Sequence, residues 1–429
     1  MQRFHVHNFG CRASQADGAA LEAALLGKGL SAAANANDAE LVVLNSCTVT
    51  ASADEDVRKA VHRVHRENPG ARILVTGCYA QRAPAELAAL PGVAWVVGNS
   101  HKVRIPEIIS EPDAPYHGEI RVGDIFEQHE FLSAPVEDAA GDRTRPNLKI
   151  QDGCNNRCSF CIIPFVRGRS RSAPADQVLE QVRNLATRYR EVVLSGINLG
   201  RWGREPGSTM RLADLVRRLL DETGIERLRL SSVEPMDFSD DLLELMASSP
   251  RIAKHVHAPL QSGSDCVLRR MHRKYWPRHY EDRVRKARDW MPDAAIGADV
   301  MVGFPGETAE EFEESRAFIE NLPFTYLHVF TYSERPGTPA AERTDQVPME
   351  VRKDRNRVLR ELAAAKNLEF RRGMIGRTLS VVTLAEGALS DNFLKVELDT
   401  KRPTNQLIDV KVGSLTDHGL KEHAPFAVL

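Results

Sequence analysis

Three cysteines within eight residues, Cys154-Asn155-Asn156-Arg157-Cys158-Ser159-Phe160-Cys161, constrain this chain more than any other feature. They follow directly on an apolar, strand-like run, Leu148–Gln151. Thiolates are soft donors suited to iron–sulfur clusters. Three of them on a four-iron cube leave one iron without a protein ligand, open to chelation by a small molecule. A zinc knuckle is the competing reading. It wants a fourth ligand, usually from a second Cys/His pair downstream, and none is evident.

Three more cysteines, Cys11, Cys47 and Cys78, are far apart in sequence, yet each closes a strand-like run. The runs are His5-Val6-His7-Asn8-Phe9-Gly10-Cys11, Val42-Val43-Leu44-Asn45-Ser46-Cys47 and Leu74-Val75-Thr76-Gly77-Cys78. In an open parallel sheet the carboxyl ends of the strands share one edge, where ligands bind. Three thiolates on that edge converge, and Gly10 and Gly77 let the backbone approach closely. The alternative is three unrelated core cysteines. Cys266 lies in a helix-like stretch, Ser264–Met271, and reads as structural. Seven cysteines, an odd number, argue against a disulfide framework and for metal binding or catalysis.

With 429 residues, two or three domains are expected. The first 110 residues alternate strand and helix: strands at Phe4–His7, Leu41–Leu44, Ile73–Thr76 and Ala94–Val97, helices such as Gln15–Leu26 and Ser52–Arg66. That rhythm predicts an open parallel α/β sheet over 1–110. Residues 111–145, rich in Pro, Asp and Glu, read as a connector. A second βα series has strands at Leu148–Gln151, Val192–Ser195, Leu228–Ser231, His255–Pro259, Ile296–Val302 and Tyr326–Phe330. Six repeats over 146–372 predict a partial (β/α)6 barrel with function at the carboxyl ends of its strands. A charged helix, about Met349–Arg372, follows. Short strands split by Gly, Asp and Asn turns predict a small β-barrel over 373–429. The fold class is α/β.

No apolar run reaches the ~18 residues of a membrane helix, and Met1–Val6 lacks a signal-peptide pattern. The reading is a cytoplasmic protein without membrane contact. Net charge is −2, so RNA contacts must come from local patches. Arg167, Arg169 and Arg171, at alternate positions after the triplet, are the candidate phosphate-binding run. The basic stretch from Arg352 to Arg360 is interrupted by Asp354 and flanked by Glu350 and Glu361, and reads as a solvated helix face.

The CxxxCxxC spacing at a barrel strand end resembles the radical S-adenosylmethionine (SAM) superfamily. The resemblance implies that the open iron binds the amino and carboxylate groups of SAM, and that reductive cleavage supplies a 5′-deoxyadenosyl radical. It implies further SAM contacts at later strand ends. Phe160 would pack on adenine; Ser195, Gly196 and Asn198 would hold the amino group; Ser232 and Glu234 would reach the ribose. Gln261 closes the fourth strand, and Asp299 and Val300 lie in the segment supporting adenine and ribose.

The whole chain resembles the methylthiotransferase family: an N-terminal three-cysteine domain, a radical SAM core and a TRAM-like RNA-binding barrel. Asn45-Ser46-Cys47-Thr48-Val49-Thr50, Gly77-Cys78-Tyr79-Ala80-Gln81 and Cys161-Ile162-Ile163-Pro164-Phe165-Val166-Arg167-Gly168-Arg169-Ser170-Arg171-Ser172 resemble the threonylcarbamoyladenosine tRNA branch. The segment after Cys11, Arg12–Asp17, departs from that branch's usual Lys-Val-Asn run. The resemblance implies two 4Fe-4S clusters, held by Cys11, Cys47 and Cys78 and by Cys154, Cys158 and Cys161. It implies SAM as both methyl donor and radical source, and an electron donor such as flavodoxin or ferredoxin. The expected reaction adds a methylthio group to carbon 2 of threonylcarbamoyladenosine at tRNA position 37. The rival readings are methylthiolation of isopentenyladenosine or of a ribosomal-protein aspartate. A non-enzymatic iron–sulfur RNA-binding or electron-transfer protein is the third.

Overall fold

In strand β3 (Leu41–Ser46) successive side chains point to opposite faces, and both faces are dry. Leu41 and Val43 pack with Leu21 and Leu25, while Val42 and Leu44 pack with Val57, Val61 and Val64. That is the pattern of a parallel strand covered on both sides. The computed structural model describes residues 2–111, 118–128, 131 and 144–423. β1 (Arg3–Asn8), β2 (Ser31–Ala32), β3, β4 (Arg72–Gly77), β5 (Val93–Gly98) and β6 (Glu119–Arg121) form one parallel sheet in the order β2-β1-β3-β4-β5-β6. Helix α1 (Arg12–Gly27) lies on one face and α2 (Ala51–Glu67) on the other. Thr50 caps α2 by accepting from the Ala53 amide, 3.2 Å away. β1 sits between β2 and β3, so the chain reverses its direction of growth there. The crevice at such a switch point is where open α/β sheets bind ligands.

The central part carries six parallel strands. β7 (Asn147–Asp152), β9 (Glu191–Gly196) and β10 (Arg227–Leu230) form one sheet, with the two-residue β8 (Arg171–Ser172) added antiparallel to β7. β11 (His255–His257), β12 (Ala295–Val302) and β13 (Tyr326–Thr331) form the next. A bridge between Leu228 and Ile252 joins the two into an open barrel wall. Outward residues such as Leu148, Val192, Leu228, Val256, Ile296 and Val300 share one core with the covering helices. The inward positions are strongly polar, among them Lys149, Gln151, Glu191, Arg229, His257 and Asp299. α1 packs against β7, so the N-terminal sheet leans on the barrel.

Helix Met349–Arg372, 24 residues long and therefore about 36 Å, leads to the last unit. There β14 (Thr378–Thr383), β15 (Ala388–Ser390), β16 (Lys395–Glu397), β17 (Leu407–Leu415) and β18 (Leu420–Glu422) close a barrel in the order β14-β15-β16-β18-β17. Arg229 donates to the carbonyls of Asp391 and Ser390, and His255 stacks on Phe393 at 4.3 Å. These contacts fix the small barrel to the amino-end rim of the large one.

The architecture is the expected one, with every anticipated strand present. Five short strands, β2, β6, β8, β15 and β18, were not anticipated. β6 lies within the segment read as a connector, whose Pro112, Asp113 and 134–138 stretches are outside the described residues. No helix of the described residues is long and apolar enough to cross a membrane.

Candidate active site

Adjacent strands set the first thiol triad. β1, β3 and β4 are neighbours in the sheet, and Cys11, Cys47 and Cys78 follow their carboxyl ends. Gly10, at φ +88°, turns the chain so that a Cβ there would lie 2.6 Å from Cys47 Sγ. Gly77, at φ +97°, lies against Ser46, whose amide nitrogen would be 2.7 Å from a Cβ. Any side chain at either position would push the loops apart. Burial pushes the Cys47 thiol up to about 12, and the neighbouring Cys78 and Cys11 add to the shift. Thiols so arranged repel one another when ionised and suit a shared cation. A soft three-sulfur set fits an iron–sulfur cluster.

The second triad lies on the loop after β7. Cys154 Sγ receives the Asn156 amide at 3.4 Å and Asn198 Nδ2 at 3.7 Å. Arg273 Nη1 donates to Cys158 Sγ at 3.3 Å, and Arg273 also pairs with Glu234. Burial, reinforced by Cys158, pushes the Cys161 thiol up to about 12. The buried Asn198 Oδ1, on the side chain that bonds Cys154, has no hydrogen-bond partner. An orphaned acceptor beside three sulfurs fits a bound cluster carrying an amino group.

The two triads face a common region. Cys78 packs against Ile162 and Val166 of the triplet loop. Asn99 Nδ2 bridges them, donating to the Val166 carbonyl at 2.7 Å and to Cys78 Sγ at 3.7 Å. Arg335, after β13, donates to Asp54 at 2.7 Å and to the Thr48 carbonyl, tying down the Cys47 loop. Cys266 is exposed on helix Asp265–Arg270, outside both triads.

A buried ionic knot joins the two parts beneath the sulfurs. Asp17 on α1 accepts from Lys102 at 3.2 Å, from Arg167 at 2.9 Å and from Lys149. Asp152 accepts from Lys149 and Arg167, each at 3.0 Å, and Arg171 lies 3.6 Å away. Burial raises both carboxyls, but the surrounding cations outweigh it and hold both well below the usual carboxylate range. Four cations meet two carboxylates, and one of them, Arg167, lies within electrostatic reach of Cys78 and Cys11.

This overturns one expectation. Arg167 does not offer itself to RNA phosphates: it is 2% exposed and its terminal nitrogens are held by Asp17 and Asp152. Arg171 turns back to the carbonyls of Arg167 and Arg169. Within that run only Arg169 is exposed.

The anticipated SAM-contacting residues divide. Ser195, Gly196 and Asn198 lie beside Gln151 and the triplet loop. Ser232 and Glu234 sit at the end of β10, half-buried. Phe160 packs with Val267, Met271, Phe304 and Tyr332. Gln261, at φ +66°, bridges to Val300 through the backbone. The Val300 side chain points outward into the core, so a supporting role there falls to its backbone. Asp299 accepts from His257 at 3.2 Å and His328 at 3.1 Å, and Tyr326 Oη joins His257 and His255 at 2.8 and 2.7 Å. Sequence reasoning missed Arg273, Asn99, the ionic knot and this histidine chain. None of them carries a local sequence signal, because each exists through partners more than 60 positions away.

The chain matches the radical SAM superfamily over residues 148–319 and a family described as "Uncharacterized protein family UPF0004" over residues 3–98. It is 36% identical to "Threonylcarbamoyladenosine tRNA methylthiotransferase MtaB" of Aquifex aeolicus, over 94% of this chain and 98% of that one. The Bacillus subtilis protein of the same name is 39% identical over 87% of this chain and 85% of its own. The "tRNA-2-methylthio-N(6)-dimethylallyladenosine synthase" of Pelotomaculum thermopropionicum is 33% identical over 92% of this chain and 89% of its own. Among solved structures, the radical S-adenosylmethionine methyltransferase TsrM from Kitasatospora setae shares the fold. It aligns with a TM-score of 0.59 at 16% identity, covering 80% of this chain and 74% of that one. With relatives this similar over nearly its full length, and both thiol triads in one architecture, this chain belongs to the radical SAM methylthiotransferase family.

Proposed function

We propose that this enzyme adds a methylthio group to carbon 2 of threonylcarbamoyladenosine at position 37 of tRNA. SAM serves as methyl donor and radical source. The observation that carries the reading is the convergence of two thiol triads from two different sheets, with Cys78 packed on the triplet loop. In this reading Cys154, Cys158 and Cys161 hold the SAM-cleaving cluster, and Cys11, Cys47 and Cys78 hold the one at which sulfur is delivered. When bound, the first cluster supplies an electron that cleaves the SAM sulfonium. Arg273 and Asn198 place hydrogen-bond donors on the Cys158 and Cys154 sulfurs, which steadies their negative charge. Arg167, within electrostatic reach, steadies that of Cys78 and Cys11. Asn99 and Arg335 hold the loops of the two triads at a fixed spacing.

The units assigned to these tasks are 1–110 for the sulfur-delivering domain, 146–372 for the radical core and 373–429 for RNA binding, joined by 111–145. An electron donor of the flavodoxin or ferredoxin kind and a cytoplasmic setting complete the proposal. Exposed Arg169 is the remaining phosphate contact of its run.

The test is nucleoside mass spectrometry of tRNA from a strain lacking the gene. The 2-methylthio form of threonylcarbamoyladenosine should disappear while the unthiolated nucleoside accumulates. Loss of the isopentenyladenosine derivative instead would transfer the assignment to that nucleoside.

A further inference from the structure

The lower lumen of the large barrel is rich in cations, and one of them opens on a cleft with no hydrogen-bond partner among the described residues. Inward positions of β9 and β10 place Glu191, Arg227 and Arg229 together. Glu191 accepts from Arg229 at 2.8 and 3.2 Å and from Arg145 at 3.2 Å, with Arg227 at 3.6 Å. Asp391 of the small barrel lies within electrostatic reach of Arg227 and Arg229. Glu191 is thus committed to Arg229, Arg145 and Arg227.

Arg12 enters the same lumen from the opposite side. It is the first residue of α1, directly after Cys11, and its carbonyl is pinned by Asn147 Nδ2 at 2.8 Å. Its guanidinium lies within electrostatic reach of Arg145, Arg229, Glu191 and Tyr326. Among the described residues no carboxylate or carbonyl receives a hydrogen bond from it. Instead it lines a cleft of about 620 Å³ where the N-terminal domain, the barrel and the exposed 384–386 loop meet. That volume suits a nucleoside-sized group. A half-buried guanidinium with Arg145 and Arg229 nearby, and with Glu191 already held by those two, suits an anion.

We propose that Arg12 receives the carboxylate of the amino-acid substituent on N6 of the target adenosine. It thereby selects a carboxylate-bearing adenosine over one with an apolar N6 group. This rests on the functional reading above. Arg12 follows Cys11 of the sulfur-delivering triad in the chain, and the proposal places the adenine ring between the cleft and that triad. The planar fork of arginine matches a carboxylate in two hydrogen bonds. An apolar substituent would cover this half-buried cation without pairing it, and that asymmetry is the source of discrimination.

The experiment uses the reconstituted two-cluster enzyme as wild type, Arg12→Gln and Arg12→Lys. Binding is measured by fluorescence anisotropy to anticodon stem–loops carrying threonylcarbamoyladenosine, its methyl ester or unmodified adenosine. Methylthiolation is followed in parallel. Wild type should bind the acid about 10- to 100-fold more tightly than the ester. Arg12→Gln should erase that difference and leave affinity for the unmodified stem–loop unchanged, and Arg12→Lys should restore part of it. Equal weakening toward all three RNAs would mean that Arg12 holds a backbone phosphate, and would overturn the proposal. So would an intact preference for the acid in Arg12→Gln. If Arg12→Gln fails to retain both clusters, Arg12→Lys carries the comparison: a preference for the acid smaller than that of wild type supports the proposal, and an undiminished one, or a wild type that binds the ester as well as the acid, rejects it. A wild-type enzyme that modifies only an isopentenyladenosine stem–loop would refute the functional reading itself, which separates the two failures.

Discussion

Replacing Cys154, Cys158 and Cys161 together by alanine should leave one cluster per chain and reduce 5′-deoxyadenosine formation to background. The three thiols share one loop, and no other described cysteine is placed to substitute: Cys266 is exposed on a separate helix, and the remaining three belong to the N-terminal sheet. The loop itself should persist, because its frame does not depend on sulfur. The Cys154 amide donates to the Gly168 carbonyl at 3.1 Å, and the Ser159 amide to the Met271 carbonyl at 3.1 Å. The triple variant should therefore fold with a far-ultraviolet spectrum like wild type. Iron and sulfide content after anaerobic reconstitution, beside chromatography of SAM products, reads the outcome. Two clusters in the variant would sink the assignment of this triad.

The second large effect is on stability. Asp17→Ala should cost about 3–5 kcal/mol, because it strands Lys102, Lys149 and Arg167 in a dry interior with Asp152 as their remaining carboxylate. The same knot predicts acid sensitivity. Asp17 and Asp152 have folded-state values well below the unfolded value of 3.8. Their contribution is present in full above that value and is lost as pH falls below it toward the folded ones. Wild type should therefore lose stability steeply below about pH 4, and Asp17→Ala should show a shallower slope there. Thermal unfolding of both proteins between pH 3 and 7 reads the difference. Parallel curves would mean that Asp17 is not a coupled anion in the folded state.

Much of this architecture was legible because strand and helix leave period-two and period-3.6 marks on apolar residues. Val42 and Leu44 alternate with Leu41 and Val43 in both sequence and packing. The placement of each triad after a strand end was equally readable. β2, β6, β8, β15 and β18 were not, since two or three residues cannot display a period. Arg167 shows the deeper reason. Arg167, Arg169 and Arg171 look alike in a one-dimensional pattern of basic residues. Arg167 is buried because Asp17, 150 positions earlier, arrives on another sheet's helix. The chain His255–Tyr326–His257–Asp299–His328 has the same origin: it exists only through the register of β11, β12 and β13. Within the segment read as supporting adenine and ribose, alternation separates the two residues: Asp299 faces the lumen and Val300 the helices.

The central claim is that the two triads do separate work, and a Cys11→Ala, Cys47→Ala, Cys78→Ala variant tests it most directly. Anaerobic iron and sulfide analysis is set beside quantification of 5′-deoxyadenosine and of the methylthiolated nucleoside in the same reaction. The account predicts the loss of one cluster and of all methylthio transfer, with reductive SAM cleavage retained through the intact Cys154–Cys161 loop. Full iron content together with continued methylthiolation of tRNA would contradict it, and would leave Cys11, Cys47 and Cys78 as ordinary residues of the N-terminal sheet.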